Sequence, residues 1–317
     1  MKIEKLLKKF LDQNADRQKP LVCALSGGVD SMCLYYLLKK CRHAYSELHI
    51  AHVDHSWRQE SCQEAQWLRN LAREGGVNFH LKTLNISNIN GNLEDACRQE
   101  RMTFLVDCAH QIGAQAVVLG HHADDQAETV LKRILEGASL GKIPGIKTIS
   151  VKGGVPFWRP FLTVPKKEIM GWMTAHDLDW LEDSTNYDPK YLRARMRQNL
   201  IPWLSKEFGK NVTAPLCRLS AELEEVEEYL KKKIAPYYPQ RTKQESSICY
   251  DFTKAVPSDL LEWKVLVKLI CEAESFRVSR AQLNDVVRLL NESQGNKWVE
   301  SGDGRITVDR RRLIFSS

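Results

Sequence analysis

Long apolar runs are missing from this chain of 317 residues: no stretch reaches the ~18 apolar residues that a membrane-spanning helix needs. An export signal is missing too. The start, MKIEKLLKKFLDQNADRQKP, is charged and amphipathic with no apolar h-region, and reads as a short packed helix rather than one lying on a membrane. Cysteine pairs are also absent. The nine cysteines are an odd number, no two are spaced C-x-x-C, and Cys23, Cys33 and Cys97 fall in apolar periodic segments where a thiol acts as a small hydrophobe. These absences exclude a disulfide framework and a zinc or iron–sulfur site, and point to a reducing, cytoplasmic setting.

What is present is a globular composition, 43% apolar and 27% charged, with a formal charge of +6 that leans toward an acidic partner such as nucleic acid. Up to residue 185, apolar strand patterns at 21–25, 48–53, 79–84 and 116–119 alternate with helical patterns at 31–40, 62–74, 93–111 and 123–136. That alternation predicts right-handed βαβ crossovers and a parallel sheet. From residue 187 the pattern changes. The segment 187–211 carries six Lys/Arg against two Asp/Glu, and a helix pattern at 217–233 follows, acidic early and lysine-rich late. Two helical patterns, 258–273 and 279–292, then precede KWVESGDGRITVDRRRLIF, where S-G-D-G (301–304) marks a turn between strand-like runs. The boundary is expected near 205–220, giving domains 1–210 and 211–317, the second a smaller, mainly helical α+β domain.

Four strings carry chemistry. The first is SGGVDS, Ser26, Gly27, Gly28, Val29, Asp30 and Ser31, between an apolar strand and a helix. Glycine there allows close backbone approach and positive φ, and successive N–H groups at a helix N-terminus cradle a phosphate. The loop lacks a Walker lysine, which suits a nucleotide reacting at its α- or β-phosphate, and Asp30 is placed to hold Mg²⁺. The bland reading is a turn in which Asp30 caps the helix. The second string is AHVDHSWR (51–58), which puts His52, Asp54 and His55 at a strand's C-terminal end, facing a nucleotide or else satisfying backbone carbonyls. The third, LGHHADDQAETV (119–130), packs His121, His122, Asp124, Asp125 and Glu128 at the next strand end, more than a helix dipole explains. The fourth, WLEDSTNYDPKYLRARMRQNLIPWL (180–204), sets Arg193 and Arg197 four apart with Lys190 a turn earlier; by itself it is a solvated basic face.

SGGVDS resembles the PP-loop of the N-type ATP pyrophosphatases, and the four strings in this order, with Arg159–Pro160, resemble the tRNA(Ile)-lysidine synthetase family over nearly the whole chain, in a short form with one C-terminal domain. The resemblance implies an adenine nucleotide α-hydrolase-like fold and ATP-dependent ligation of L-lysine to C2 of the wobble cytidine of tRNA(Ile) with a CAU anticodon. An adenylated cytidine would be the intermediate, and codon reading would change from AUG to AUA. It implies ATP and Mg²⁺, is compatible with a homodimer, and matches Ser26–Ser31 to the ATP loop, with His52 and Asp54 beside the nucleotide. His121, Asp125 and Glu128 match a cluster for lysine and metal, with Asp30 beside it. Arg98 and Arg101 match arginines of the central helix, and Arg193 and Arg197 match the basic element after E-D-x-T-N; with Lys190 they are the candidates for holding tRNA or substrate, and the basic run Arg310–Arg312 is expected to grip tRNA away from the anticodon. Asp54 and Trp57 depart from the family's H-V-N-H-x-L-R, and Ala194 from its R-N-R. Two rivals are a PP-loop tRNA thiolation enzyme, which would need catalytic cysteines, and a non-catalytic ATP- or tRNA-binding module, which would not need the acidic cluster.

Overall fold

The computed structural model describes residues 2–54, 61–84, 93–138, 141–182, 190–244 and 246–316, and the chain divides into two compact units. The first holds residues 1–137 and 144–220; the second holds 138–143 and 221–317.

The first unit is the expected α/β layer. Strands β1 (Leu21–Ala24), β2 (Leu48–Asp54), β3 (Asn78–Thr83) and β4 (Ala116–Val118) alternate with helices α2 (Val29–Lys40), α3 (Ser61–Glu74), α4 (Leu93–Gln111) and α5 (Ala123–Leu135), after an N-terminal helix α1 (Lys2–Asn14). The pairs β1–β2, β1–β4 and β2–β3 are all parallel. Side-chain alternation explains why these short runs are apolar throughout: Leu21 and Cys23 enter a core with Ile3, Leu7 and Met32, while Val22 enters a second core with Leu105, Cys108 and Val117. The amphipathic start buries Ile3, Leu7 and Leu11, so α1 is a packed helix.

The strand order is β3-β2-β1-β4-β6-β5. The chain therefore builds outward from β1 on one side and then crosses to β4 on the other. That reversal opens a crevice beyond the C-terminal ends of β1 and β4, where α/β sheets bind ligands. Strands β5 (Ile149–Lys152) and β6 (Val155–Trp158) were not expected. They form a hairpin whose β6 runs parallel to β4 while β5 closes the edge antiparallel. Its two-residue turn, Gly153 and Gly154, has both φ values positive (53° and 78°), a turn that glycine adopts without Cβ strain.

The second unit has more strand than expected. A five-stranded antiparallel sheet, ordered β7-β8-β11-β10-β9, carries helices α10 (Leu260–Ala273) and α11 (Arg280–Asn291). Its strands are β7 (Gln240–Lys243), β8 (Ser247–Asp251), β9 (Lys297–Ser301), β10 (Gly304–Asp309) and β11 (Arg312–Ser316). The turn at 301–304 joins β9 to β10 as expected. Strand β7 escaped notice because QRTK is polar and exposed throughout, an edge strand without alternation. Helix α9 (Thr213–Ile234) runs across the division between units. The split falls at 220/221 inside this helix rather than at 210/211, because its first turns belong to the α/β unit. There Cys217 Sγ donates to the Ala123 carbonyl, and Ser220 Oγ receives Gln126 Nε2 at 2.7 Å and donates to the Pro144 carbonyl.

Candidate active site

The loop after β1 shapes itself before any ligand arrives. Gly27 has φ +92° and Gly28 is the extended N-cap of α2. Ser31 Oγ donates to the Gly28 carbonyl at 3.0 Å and accepts the Ser26 amide at 3.2 Å, so this buried hydroxyl holds the loop's curvature. Ser26 Oγ lies 3.1 Å from Ser31 Oγ and is within 3.4 Å of the Gly28 amide. Val29 is buried against the core, leaving Asp30 at the first turn of α2. Two neighbours were not foreseen. Leu181 donates its amide to the Gly27 carbonyl at 2.9 Å, and a Cβ on Gly27 would meet Leu181 Cδ1 at 2.6 Å. A Cβ on Gly120 would meet the Asp30 carbonyl oxygen at 2.9 Å and the Ser31 nitrogen at 3.0 Å, so only glycine lets the end of β4 lie against the loop.

The β4–α5 junction supplies the acids. His122 caps α5 in a reciprocal box: its Nδ1 lies 3.2 Å from the Asp124 amide, and its own amide donates to Asp125 Oδ2 at 3.1 Å. Its Nε2 lies 3.5 Å from Asp30 Oδ2 and 3.4 Å from Asp125 Oδ2, tying the helix to the loop. Burial disfavours charge on this ring, but bonding to Asp124 and Asp30 and the charge of Asp125 outweigh it and raise its pKa to about 9. A neutral ring accepts the Asp124 amide on Nδ1; a charged ring donates instead to Asp124 Oδ2, 3.5 Å away. With three carboxylates around it, the charged form is the favoured one.

Asp30 is buried enough to favour its neutral form, yet hydrogen bonding and charge from His122, then Lys166 and Arg197, hold it below the usual carboxylate range. Lys166 opens α6 (Lys166–Ala175), its Nζ 3.6 Å from Asp30 Oδ2 and its amide donating to Asp124 Oδ2 at 2.8 Å. The loop thus gains a lysine from a distant helix N-terminus. No local signal betrayed it, since Lys166 is one of two adjacent lysines far along the chain. Asp124 is spent on capping α6.

Asp125 and Glu128 share a face, as expected, but they are occupied. Arg197 donates from Nε to Glu128 Oε1 at 2.6 Å, and from Nη2 to Glu128 Oε2 at 3.1 Å and Asp125 Oδ1 at 3.0 Å. Burial raises the pKa of Glu128, and the guanidinium opposes that rise. Expected on tRNA phosphates beside Arg193, Arg197 instead faces inward. Its helix α7 (Leu192–Arg195) passes into a π-helical turn at Met196–Leu200 before α8 (Ile201–Glu207), and the long side chain reaches the buried Glu128. Arg193 and Lys190 are exposed.

His52 takes the bland alternative. Its Nδ1 donates to the Leu25 carbonyl at 2.8 Å, pinning the ends of β1 and β2, and burial lowers its pKa. Asp54 is buried at the same strand end, while His55 and Trp57 lie outside the described residues, as do 183–186 of the E-D-S-T-N string. His121 Nδ1 is buried without a hydrogen-bond partner; burial pushes its pKa down to about 4, helped by Arg159, Arg101 and Arg193 against the pull of Asp125, so it is neutral at pH 7. Arg98 and Arg101 lie on α4. Trp180 packs on the core, whereas Trp203 is 56% exposed.

A family model described as a PP-loop domain matches residues 1–204. The tRNA(Ile)-lysidine synthase of Protochlamydia amoebophila (strain UWE25) is 38% identical over 312 residues, covering 98% of this chain and 68% of that protein. The chain belongs to the tRNA(Ile)-lysidine synthase family. The family's enzyme from Chlamydia pneumoniae is 42% identical over 232 residues, 73% of this chain and 72% of its own. Among solved structures, the U34-tRNA thiolase NcsA from Methanococcus maripaludis with its 4Fe-4S cluster superposes with a TM-score of 0.58 at 18% identity, covering 70% of this chain and 78% of that one. That likeness is one of fold. Members of this family are ATP-dependent ligases on the PP-loop scaffold, and the loop at Ser26–Ser31 lies within the residues that the PP-loop family model matches.

A Mg²⁺ ion accompanies such nucleotide chemistry, and the residues fit one. Asp30 Oδ1 is buried without a hydrogen-bond partner beside the phosphate cradle. A single carboxylate oxygen suits an ion that keeps most of its waters and takes its remaining ligands from phosphate.

Proposed function

We propose that this chain joins L-lysine to C2 of the wobble cytidine of tRNA(Ile) with a CAU anticodon, using ATP. The observation that carries the reading is the guanidinium of Arg197 on Asp125 and Glu128: a cation already sits between two acids, beside the His122 ring that ties Asp125 to the loop's Asp30, where a substrate ammonium would react.

The chemistry assigns the parts. The C2 oxygen attacks the α-phosphorus of ATP, the bond to the bridging oxygen breaks, and pyrophosphate leaves. Lysine's free amine then attacks C2, the C2–O bond breaks, and AMP departs with the oxygen. Loop amides from Gly27 to Ser31 and the Lys166 ammonium neutralise charge on the phosphates, and such preorganised electrostatics dominate phosphoryl chemistry. Asp30 would hold Mg²⁺, which supplies further charge neutralisation at the departing pyrophosphate. Asp125 and Glu128 receive the lysine ammonium as Arg197 gives way or shares them. A guanidinium alongside lowers the pKa of that ammonium, and Glu128, desolvated and raised in pKa, is matched to take its proton.

The first unit performs these steps and the second holds tRNA away from the anticodon. Arg98, Arg193 and Lys190 face solvent where anticodon-loop phosphates can reach them, and Trp203 offers an exposed ring for a splayed base. A homodimer in the cytoplasm completes the proposal. The test is AMP release from α-labelled ATP on tRNA(Ile) transcripts with and without lysine, followed by nucleoside mass analysis. Lysine-dependent AMP and a cytidine heavier by one lysine residue are expected; AMP without an adduct would overturn the substrate.

A further inference from the structure

Between Asp125 and Glu128 along α5 stands Gln126, a polar side chain that the reaction steps leave unused and that is 5% exposed. Its amide oxygen accepts the Ile146 amide at 2.7 Å. Its Nε2 lies 2.9 Å from the Pro144 carbonyl, 2.9 Å from the Ile146 carbonyl and 2.7 Å from Ser220 Oγ. Ser220 is 2% exposed and donates its own proton to the Pro144 carbonyl. One buried amide therefore binds α5 to two other stretches of chain, 144–146 and the first turns of α9. Gly145 makes the approach possible: its φ is +85°, and a Cβ there would meet Gln126 Oε1 at 2.5 Å. Two more bonds run between the same stretches, from Cys217 Sγ to the Ala123 carbonyl at 3.3 Å and from Arg133 Nη1 to the Gly145 carbonyl at 2.8 Å. All of these groups belong to the first unit, and α9 enters the second only after Ser220.

An apolar side chain would fill this space without the cost of burying an amide. A fully bonded amide fixes one arrangement instead, because its bonds are directional and a displaced partner is left unsatisfied. What it fixes is the run of α5 that carries the acids. The helix is pinned at its N-cap by His122, which faces Asp30, and again at Gln126; Glu128 follows two residues later, where Arg197 meets it. The nucleotide loop has supports of its own, Ser31 Oγ on the Gly28 carbonyl, Gly120 against the loop backbone and Lys166 beside Asp30. Loosening Gln126 therefore moves the acids more than the loop. We propose that Gln126 is a positioning residue for the lysine step, locking Asp125 and Glu128 to the start of α9. The proposal rests on the function above, in which those two acids receive the lysine ammonium.

The full-length wild type, Q126M and S220A are compared in single turnover on tRNA(Ile) transcripts. Pyrophosphate release reads adenylation, lysine incorporation reads transfer, and filter binding reads tRNA affinity. Q126M should slow lysine transfer by about tenfold to a hundredfold, as a displacement of ~1 Å at a reacting group does, with pyrophosphate release, the KM for ATP and tRNA affinity within about twofold. S220A is the milder variant: it cuts only the α9 arm and leaves Gln126 its bonds to Pro144 and Ile146. It should slow transfer by about threefold to tenfold and leave adenylation within about twofold. Q126M slowing both steps equally would make Gln126 a purely structural residue and overturn the proposal. So would S220A transferring lysine at the wild-type rate, which would take α9 out of the lock. Pyrophosphate release with no lysine incorporation in the wild-type protein would overturn the proposed function, and this proposal with it.

Discussion

Arg197 Nε donates to Glu128 Oε1 at 2.6 Å, and Glu128 is 3% exposed. Burial raises its pKa, and the Arg197 guanidinium, with the charge of His122, opposes that rise. R197Q should leave Glu128 uncompensated and destabilise the fold by about 1–3 kcal/mol at neutral pH. The sign of the pH dependence follows from the raised pKa of Glu128. Protonation favours the native state, so its stabilising contribution is complete below the unfolded carboxylate value and is lost as pH rises through the native one. Without Arg197 that native value moves further up, so urea unfolding should show R197Q recovering toward wild-type stability as pH falls to 5. A pH-independent deficit would contradict this.

E128Q keeps the shape of the site and removes the carboxylate proposed to accept the proton. Lysine transfer should fall by about 10²–10⁴, with cytidine adenylation and pyrophosphate release retained in a single-turnover assay. Equal loss of both steps would move Glu128 out of the second one.

Gly120 touches the backbone of Asp30 and Ser31, which no rotamer change can relieve. G120A should shift the loop and weaken ATP binding more than about tenfold by calorimetry, at a stability cost of about 1–3 kcal/mol. Undiminished ATP affinity would show that the loop tolerates the displacement.

Lys166 stands where the loop has no lysine of its own. K166M should raise the KM for ATP by about tenfold to a hundredfold and lessen its sensitivity to salt. An unaltered KM would confine Lys166 to holding Asp30.

Sulfur chemistry has no foothold among these cysteines. All nine are free, Cys97 and Cys108 are buried, and burial raises the Cys108 thiol to about 11. Alkylating the exposed Cys62, or combining C97S with C108S, should leave lysine transfer within about twofold, an effect below ~0.5 kcal/mol. Abolished transfer in a folded variant would revive the thiolation reading.

In the second unit Arg312 pairs with Asp251 at 3.0 Å, which leaves Arg310 and Arg311 as the better candidates for tRNA. R310Q with R311Q should weaken tRNA binding and reduce the slope of log K against log salt by about one per lost phosphate contact. An unchanged slope would remove this face from the interface.

Much of the site was legible because its signals are local. The strand–loop–helix at 21–40, the acids on one face of α5 and the parallel sheet all follow from spacing within one or two elements, and so did the alternative for His52 at a strand end. The parts that were missed depend on distant chain. Lys166 reaches Asp30 from another helix, Leu181 covers Gly27, and Arg197 comes to Glu128 from sixty-nine residues away. The β5–β6 hairpin and β7 were hidden by exposed, unpatterned strands at sheet edges.

The amino-acid order by itself determined the scaffold, the nucleotide loop and the family, because backbone propensity, glycine's freedom and apolar period act between near neighbours. Which charges meet was decided only by the tertiary structure. Pairing and desolvation depend on distance in space, and the crevice between β1 and β4 gathers residues from α2, α5, α6 and the turn after α7 that no sequence period connects.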